Sequence, residues 1–358
     1  MEKGITIYPG LDNSPEENLK LLEHAANCGI HRVFFSLMLP YADTRQAAHE
    51  IGQLLAFAQK LQMDIIAALT PDVMRALHIA HPRLESFRLI GVHTLYLKDF
   101  LPGDLAELSR NPYGLHIQFS ASKLDMNELE LLMEEHPNLQ RLEALHSGYA
   151  REGTGLSEEN LIRRTVMLHR AGIRVSAFIP CARRRSPFRA GIPSMEMHRH
   201  MPADLACRHY VAIGMDSIFL ADSMPSQAEL HALGSLSARE ITLRARFMTR
   251  SPLQRSLLRN SFTARIDEAR DAIRAVEGTS IIARTGKRIH PANTVARNIG
   301  DITIDNETCT GFMGEVQIIK RPSPASSRTN VAARIREEEA FLINYIMPGR
   351  KFRFRFDS

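Results

Sequence analysis

The feature that most constrains the fold is a unit repeated through the first two thirds of the sequence. A short apolar run is followed by a polar turn and then by an amphipathic segment of helical length, and about eight such runs occur before residue 221. Glycine follows several of the helical segments, as at Gly29, Gly172 and Gly214. Because glycine readily adopts the left-handed conformation that ends a helix, this order indicates repeated βα units, and eight of them close a parallel TIM barrel.

Runs rich in β-branched and aromatic residues predict the barrel strands Ile5–Tyr8, Arg32–Met38, Asp64–Leu69, Thr94–Leu97, Leu115–Phe119, Leu139–Leu145, Val175–Ile179 and Ser217–Leu220. Apolar residues at helical spacing predict the helices Pro15–Asn27, Ala42–Lys60, Met126–Glu135, Glu158–Arg170, Glu196–Ile213 and Ser226–Ala232. Ser14 before Pro15 and Ser157 before Glu158 are typical helix caps.

The pattern changes after about Ser237, where short strand-like runs become closely spaced. The predicted strands are Ile241–Met248, Ser280–Ala283, Asp301–Ile304, Gly314–Lys320 and Lys351–Phe356, and the predicted helices are Ile266–Val276 and Glu337–Tyr345. We therefore predict an α/β chain of two domains, a TIM barrel over residues 1–237 and a smaller β-rich domain over residues 238–358.

The composition of the 358 residues narrows the classes of function. The formal net charge of +5 favours anionic ligands, while the absence of Trp and of any basic tract interleaved with aromatics argues against nucleic-acid binding. The four cysteines lie far apart, which predicts neither a zinc site nor a redox pair and favours a reduced, cytoplasmic setting. No signal peptide and no membrane span are expected, because no long apolar segment occurs.

Polar side chains crowd the end of the sixth predicted strand, in the segment LEALHSGYAREGTGLS from residue 142 to residue 157. Glu143, His146, Tyr149 and Arg151 fall within nine positions. Barrel enzymes keep their chemistry at the carboxyl ends of the strands, so this segment predicts an active site. The alternative is a polar loop in which Glu143 only pairs with Arg151.

Two acids at predicted strand ends, Glu143 and Asp222, are the candidates for acid/base chemistry, since glycosidases use a pair of carboxyl groups. Two other acids have simpler interpretations: Asp72 caps a helix, and Asp99 pairs with its neighbour Lys98. The run CARRRSPFR after the seventh strand concentrates positive charge. Several guanidinium groups on one loop suit a phosphate, and a solvated charge run is the alternative.

These stretches also carry a family resemblance. The segment around Glu143, together with RSPFRAGIPSMEMHR, FLADS, ARNIGDITIDN, MGEVQI and INYIMPGRKFRFRF, resembles the 6-phospho-N-acetylmuramidase family, some of whose members bear an older "outer surface protein" label. The resemblance runs nearly end to end. It implies a TIM barrel followed by a cyclophilin-like β domain. It also implies hydrolysis of a disaccharide that carries 6-phospho-N-acetylmuramic acid, during cell-wall recycling.

The resemblance also implies site residues. Glu143, His146, Tyr149 and Arg151 match the polar strand-end motif of the family, Arg185 matches the Arg that opens the next loop motif, and Asp222 matches the acid after the last strand. In the second domain the matching residues are Arg297, Asp301, Asp305 and Asn306, for which an Asp-Asn turn and a buried Asp-Arg pair are the structural alternative. Glu143 and Asp222 are then expected to be catalytic, His146 and Tyr149 to position the sugar, and Arg151 and Arg185 to hold the anion.

Several strand-end positions depart from the family pattern. They are Gly10, Ala68, Tyr96, Lys98, Ser120 and Ser147, where the family has mostly acidic or amide residues. Our first hypothesis is a hydrolase of a phosphorylated or acidic amino-sugar glycoside that needs no metal or redox cofactor. A sugar-phosphate sensor built on a degenerate enzyme is the second, because lost acids weaken catalysis while Lys98 adds a cation. An isomerase or lyase of sugar phosphates is the third, and a homodimer remains open.

Overall fold

The computed structural model describes residues 1–37, 44–69 and 84–356. The chain forms a closed eight-stranded parallel barrel, followed by a smaller unit built on a curled seven-stranded mixed sheet. The predicted fold class is therefore confirmed. Backbone packing divides the chain into Met1–Tyr210 with Gly214–Leu236, and Ser237–Ser358 with Val211–Ile213.

The barrel strands occur close to their predicted positions. They are β1 (Glu2–Ile7), β2 (Arg32–Leu37), β3 (Asp64–Leu69), β4 (Thr94–Leu97), β5 (His116–Ser120), β6 (Leu142–His146), β7 (Arg174–Ile179) and β8 (Ser217–Leu220). Each strand pairs in parallel with the next, and β8 closes the barrel on β1. All six residues of β2 are buried, as expected for a strand covered on both faces.

Helices separate the strands and form the outer layer. They are α1 (Pro15–Asn27), α2 (Thr44–Lys60), α3 (Leu84–Leu89), α4 (Pro102–Ser109), α5 (Met126–Glu134), α6 (Glu158–Arg170), α7 (Ala203–Ile213) and α8 (Gln227–Gly234). Ser14 forms a capping box with Glu17 at the start of α1, and Ser157 caps α6 as predicted. The sequence did not predict α3 and α4.

One predicted helix is divided in two. The segment Glu196–Ile213 contains a short 3-10 helix, Glu196–His200, and then α7. Pro202 lies between them, and the preceding Met201 has an extended backbone with φ −77° and ψ 139°. Proline disfavours the helical conformation in the residue before it, so the helix restarts after Pro202.

The described residues of the second unit, up to residue 356, form seven strands and two α-helices. They are β9 (Ile241–Phe247), α9 (Pro252–Leu258), β10 (Ser261–Thr263), β11 (Ala272–Arg274), α10 (Gly278–Thr285), β12 (Asp301–Asp305), β13 (Val316–Ile319), β14 (Thr329–Ile335) and β15 (Lys351–Phe356). The residues between β14 and β15 include a 3-10 helix, Glu337–Tyr345. The sheet order is β10-β15-β9-β14-β12-β13-β11, and only β15 and β9 pair in parallel.

Four of the five strands predicted for the second unit are found as β9, β12, β13 and β15, and two other predictions are wrong. The predicted strand Ser280–Ala283 lies inside α10, and the predicted helix Ile266–Val276 contains β11, which pairs with β13. Short apolar runs fit either structure, and sheet pairing overrides local preference. In β15 the alternation is as predicted, with Phe352 and Phe354 buried.

Candidate active site

The structure places Glu143 at the amino end of the barrel, so the prediction of a carboxyl-end position is wrong. The strand β6 begins at Leu142, three residues after the predicted start at Leu139, because Leu139–Arg141 form a 3-10 helix. Glu143 is therefore the second residue of β6. Its carboxylate accepts two hydrogen bonds from Arg32, the first residue of β2, at 3.0 and 2.8 Å.

The contacts of Arg32 extend this network across the amino end. Its guanidinium also lies 2.8 Å from the carboxylates of Glu2 and Asp64, and it donates to the hydroxyl of Ser217 at 2.8 Å. Burial alone would lower the pKa of Arg32, but the carboxylates, led by Glu143, raise it overall. Glu143 thus balances a buried cation, and the alternative partner Arg151 is not the one it binds.

His146 lies at the carboxyl end of β6 but points outward, towards α6. The Oγ1 of Thr165 donates to the Leu161 carbonyl at 2.8 Å, so His146 Nε2 donates to that oxygen, 2.9 Å away. Burial lowers the pKa of His146 to about 3, which keeps the ring neutral. His146 therefore packs between strand and helix, and it does not face the barrel mouth.

Asp222 follows β8, as predicted, and is fully buried. One carboxylate oxygen accepts from the backbone N–H of Cys181 at 2.9 Å, and the other from that of Arg185 at 3.0 Å. Burial raises the pKa of Asp222, and these two N–H groups oppose the change. The side chain therefore fixes the loop after β7 in place.

Arg185 stands at the carboxyl end of the barrel with free hydrogen-bonding capacity. Its guanidinium carbon lies 4.5 Å from the ring centre of Tyr8, which follows β1. Its buried Nε has no hydrogen-bond partner within the described part of the chain. Tyr8 Oη donates to the carbonyl of Ala221 at 2.6 Å, which holds the ring under the guanidinium.

Asp12, which the sequence analysis missed, lies beside the same loop. Its carboxylate accepts from the backbone N–H of Ser186 at 3.0 Å and from the hydroxyl of Ser223 at 2.5 Å. Burial raises the pKa of Asp12, but these hydrogen bonds outweigh it and the net shift is downward. Asp12 and Asp222 thus contact the adjacent residues Ser186 and Arg185. The available signal was an acid within five residues of the end of the first strand.

The other two arginines of the RRR run have different environments. Arg184 donates to the carbonyls of Ala190 and Arg199, each at 2.8 Å, and so closes its own loop. The side chain of Arg183 is 54% exposed, and it lies 3.8 Å from Glu17. Of the three adjacent arginines, Arg185 alone stacks on an aromatic ring of the barrel mouth.

Hydroxyl groups line the far side of the mouth. Ser120 and Ser147 lie 2.9 Å apart through their Oγ atoms, and Tyr96 Oη is 3.5 Å from Ser147. Phe34, Phe178 and Phe219 pack edge to face between the two sides and belong to one apolar cluster with Tyr8. The mouth therefore combines an apolar floor with hydroxyl groups, a form suited to a sugar ring.

Lys98, which follows β4, is exposed. Its neighbour Asp99 pairs with Lys123 at 2.9 Å, and the prediction that Asp99 pairs with Lys98 is therefore wrong. Asp72, the other acid with a predicted capping role, lies outside the described residues.

The loop after β6 is held by two residues that the sequence analysis missed as functional. Arg199, only 2% exposed, donates to the carbonyls of Tyr149 and Arg151, each at 3.0 Å. Glu196 accepts from Arg199 at 2.6 Å and from the N–H groups of Gly153 and Gly155. The hydrogen bonds from Arg199 are the main cause that lowers the pKa of Glu196 to about 2. The Arg151 side chain is exposed.

In the second unit the motif residues make structural contacts. Asp301 accepts from Arg334 at 2.6 Å and from the N–H of Asn298 at 2.7 Å. Asn306 accepts from Thr308 in a tight turn.

The remaining two motif residues are also engaged within this unit. Arg297 donates to the Pro324 carbonyl at 2.9 Å, while its buried Nε has no partner among the described residues. Thr329 donates to Asp305 at 2.8 Å, and burial raises the pKa of Asp305. The predicted structural alternative thus describes these contacts, with Arg334 in the buried pair.

Residues 1–37, 44–69 and 84–356 lack two further features. They contain no group of three or more His, Cys, Asp or Glu side chains placed to hold a metal ion. They also contain no helix of the length and apolar character needed to cross a bilayer.

A closed barrel whose carboxyl end presents tyrosines, serines, an aspartate and an incompletely bonded arginine defines a class, the TIM-barrel proteins with a polar mouth. Family models identify the member of that class. Residues 3–235 match the model described as 6-phospho-N-acetylmuramidase, N-terminal, and residues 241–355 match its C-terminal counterpart. The chain belongs to this family, a glycosidase family named for a phosphosugar, and the resemblance found in the sequence is confirmed.

Two solved structures share the fold of this chain. The chain is 25% identical to an uncharacterized B. cereus protein, with a TM-score of 0.86 over 99% of each chain. A conserved protein of unknown function from Enterococcus faecalis is 23% identical, with a TM-score of 0.71 over 100% of this chain and 97% of that one. A search of curated protein sequences found no match.

Proposed function

We propose that this protein hydrolyses a glycoside of a 6-phosphorylated amino sugar, such as a 6-phospho-N-acetylmuramyl glycoside, and that Arg185 binds the phosphate. The observation that carries the proposal is the state of Arg185, stacked on Tyr8 with its Nε lacking a partner among the described residues. Membership of a family named for a phosphosugar glycosidase supports the chemistry.

The geometry of Arg185 suits an anion. One face of its guanidinium packs against the ring of Tyr8, which leaves the N–H groups along its edge for a ligand. A guanidinium edge matches two oxygens of one phosphate group. Asp222 positions this residue by accepting its backbone N–H, so the cation is held by a buried group that does not compete for the guanidinium.

We propose Asp12 as the reactive carboxylate in place of Glu143. The hydrogen bonds from Ser186 and Ser223 lower its pKa, and the ionised form is the one that a base or nucleophile requires. Asp222 has the raised pKa that suits an acid, but both its oxygens are engaged by backbone N–H groups. We therefore assign it a positioning role towards Arg185.

Further residues of the strand-end loops and of the second unit are proposed to contact the ligand. Tyr149, Arg151 and Lys98 are proposed to contact the sugar or its phosphate from the loops after β6 and β4. Arg297 keeps a proposed ligand role because its Nε is unpartnered within the described residues, whereas Asp301 and Asn306 are proposed to support it. A cytoplasmic location and a part in cell-wall recycling are proposed from the sequence alone.

The proposal is tested by sugar release from a panel of 6-phospho-disaccharides and by calorimetric binding of the corresponding phosphorylated monosaccharides. Arg185→Gln is expected to weaken binding about 100-fold, roughly 3 kcal/mol, because a charge-assisted bidentate contact is lost. Arg183→Gln is the matched control, since it removes the same charge from the same loop at an exposed position. Equal losses in both variants, or no loss in Arg185→Gln, would contradict the assignment.

A second function, a non-catalytic sensor of sugar phosphates, is favoured by a specific observation. Both acids that the sequence predicted to be catalytic are engaged in contacts within the protein. Glu143 pairs with Arg32, and Asp222 accepts hydrogen bonds from two backbone N–H groups. The same panel separates the two functions. Turnover that Asp12→Asn abolishes would support the hydrolase, and tight binding without turnover of any disaccharide would support the sensor.

A further inference from the structure

A groove of about 1000 Å³ lies between α5 and α6, on the outer layer of the barrel. Its apolar lining residues are Met126, Leu129, Met133, Val166, Met167 and Ala171. Met126 is 56% exposed and Val166 is 42% exposed. The outer face of a barrel helix is normally polar, and contiguous exposed apolar residues with a polar rim are characteristic of an interaction surface.

The two rims of the groove carry opposite charges. Glu130 and Glu134 stand on the α5 side, while Arg163 and Arg170 stand on the α6 side. Among the described residues, no ion pair joins the two rims, and Arg163 donates only to the side chain of Asn160, at 3.1 Å. Each helix therefore presents one sign of charge beside a shared apolar floor.

This arrangement is complementary to itself. A two-fold axis through the groove would bring a second copy in the reverse direction, so that α5 of each copy faces α6 of the other. Each acidic rim would then meet a basic rim, and the two apolar floors would meet between them. Such isologous contacts, in which the same patch serves both subunits, are the commonest form of homo-oligomer interface.

We propose that the groove between α5 and α6 is the interface of a two-fold symmetric homodimer. A foreign helix of one charge would match one rim and oppose the other, whereas a second copy matches both. The methionines suit this role, because their flexible side chains adapt to a facing surface. The charged rims fix the orientation of the partner, and the apolar floor supplies most of the affinity. The proposal is independent of the function assigned to the barrel mouth.

The experiment uses two complementary variants of the full chain and sedimentation equilibrium. The basic variant is Glu130→Arg with Glu134→Arg, and the acidic variant is Arg163→Glu with Arg170→Glu. The wild type is expected to be a dimer at roughly 10 µM, a concentration typical of a specific interface. In a homodimer of either variant, rims of like charge would meet across the two-fold axis. The dissociation constant of each variant alone should therefore rise at least about 10-fold.

The decisive measurement is the equimolar mixture of the two variants, one of them carrying a mass tag. In a heterodimer each arginine rim would meet a glutamate rim, so the mixture should dimerise with near wild-type affinity. Unchanged thermal midpoints would establish that both variants fold. A monomeric wild type, variants that dimerise as well as the wild type, or a mixture no better than its components would overturn the proposal.

Discussion

Each end of the barrel holds an arginine, buried at the amino end and half-buried at the carboxyl end, and the comparison between them separates structure from function. At the amino end, Arg32 is met by Glu143, Glu2 and Asp64, each within 3.0 Å. At the carboxyl end, Arg185 rests on an aromatic ring and keeps an Nε without a partner in the described chain. A guanidinium whose donors are all engaged holds a fold together, and one with free donors can bind a ligand.

The largest expected effect comes from removing the main partner of Arg32 at the amino end of the barrel. Glu143→Gln leaves the buried Arg32 without its bidentate partner, and the free energy of unfolding should fall by about 3 kcal/mol, at the lower limit for a broken buried pair because two acids remain. Denaturant unfolding measures this change. Phosphosugar affinity should stay within about 2-fold, because the residue lies at the opposite end from the site.

The control for that variant is Glu107→Gln, on the exposed face of α4. Its stability should equal that of the wild type within about 0.5 kcal/mol. A stable Glu143→Gln protein that had lost ligand binding would reverse our comparison of the two ends and restore Glu143 as a site residue.

A smaller effect concerns pH and His146. Burial holds the pKa of His146 near 3, whereas an unfolded histidine titrates near 6.5. Below about pH 6.5 the unfolded state binds a proton that the folded state does not. The free energy of unfolding therefore decreases as the pH is lowered from about 6.5 to about 3. At pH 5 the loss from this residue should be about 2 kcal/mol.

The measurement is the free energy of unfolding at pH 7 and at pH 5 for the wild type and for His146→Gln. The variant should lose about 2 kcal/mol less than the wild type over this interval, because its side chain does not titrate. His198 and His209, whose pKa values burial also lowers, keep part of the slope in both proteins. An equal slope in His146→Gln and in the wild type would refute the assignment.

The smallest expected effect concerns Tyr8, which packs against Arg185 at the carboxyl end of the barrel. Tyr8→Phe removes the hydrogen bond to the Ala221 carbonyl and should cost about 1 kcal/mol of stability, while the ring under Arg185 remains. Ligand affinity should therefore change less than about 2-fold. Tyr8→Leu removes the ring as well, and affinity should fall about 5-fold through the lost stacking on the guanidinium. Equal affinities in the two variants would mean that the ring does not position Arg185.

The error over Glu143 illustrates the limit of sequence reasoning at a site. Periodicity identified the sixth strand, but its start was misplaced by three residues, and in a strand of five residues that shift exchanges one end for the other. His146 was placed at the correct end of the strand, but the direction of its side chain was not predicted. Neighbouring residues of a strand point to opposite faces, so His146 points outward because Leu145 points into the barrel. Asp12 was missed because it lies in a loop with no periodic signal.

The sequence by itself determined the order of the βα units, the closed barrel and the change to a β-rich unit, because these depend on local hydrophobic patterns and on glycine and proline. It also carried the family, whose motifs are spread along the whole chain. Only the tertiary structure decided that Arg32 is neutralised and Arg185 is not. The partners of each arginine are set by contacts between segments distant in sequence. No local pattern in the sequence shows which carboxylate reaches which guanidinium.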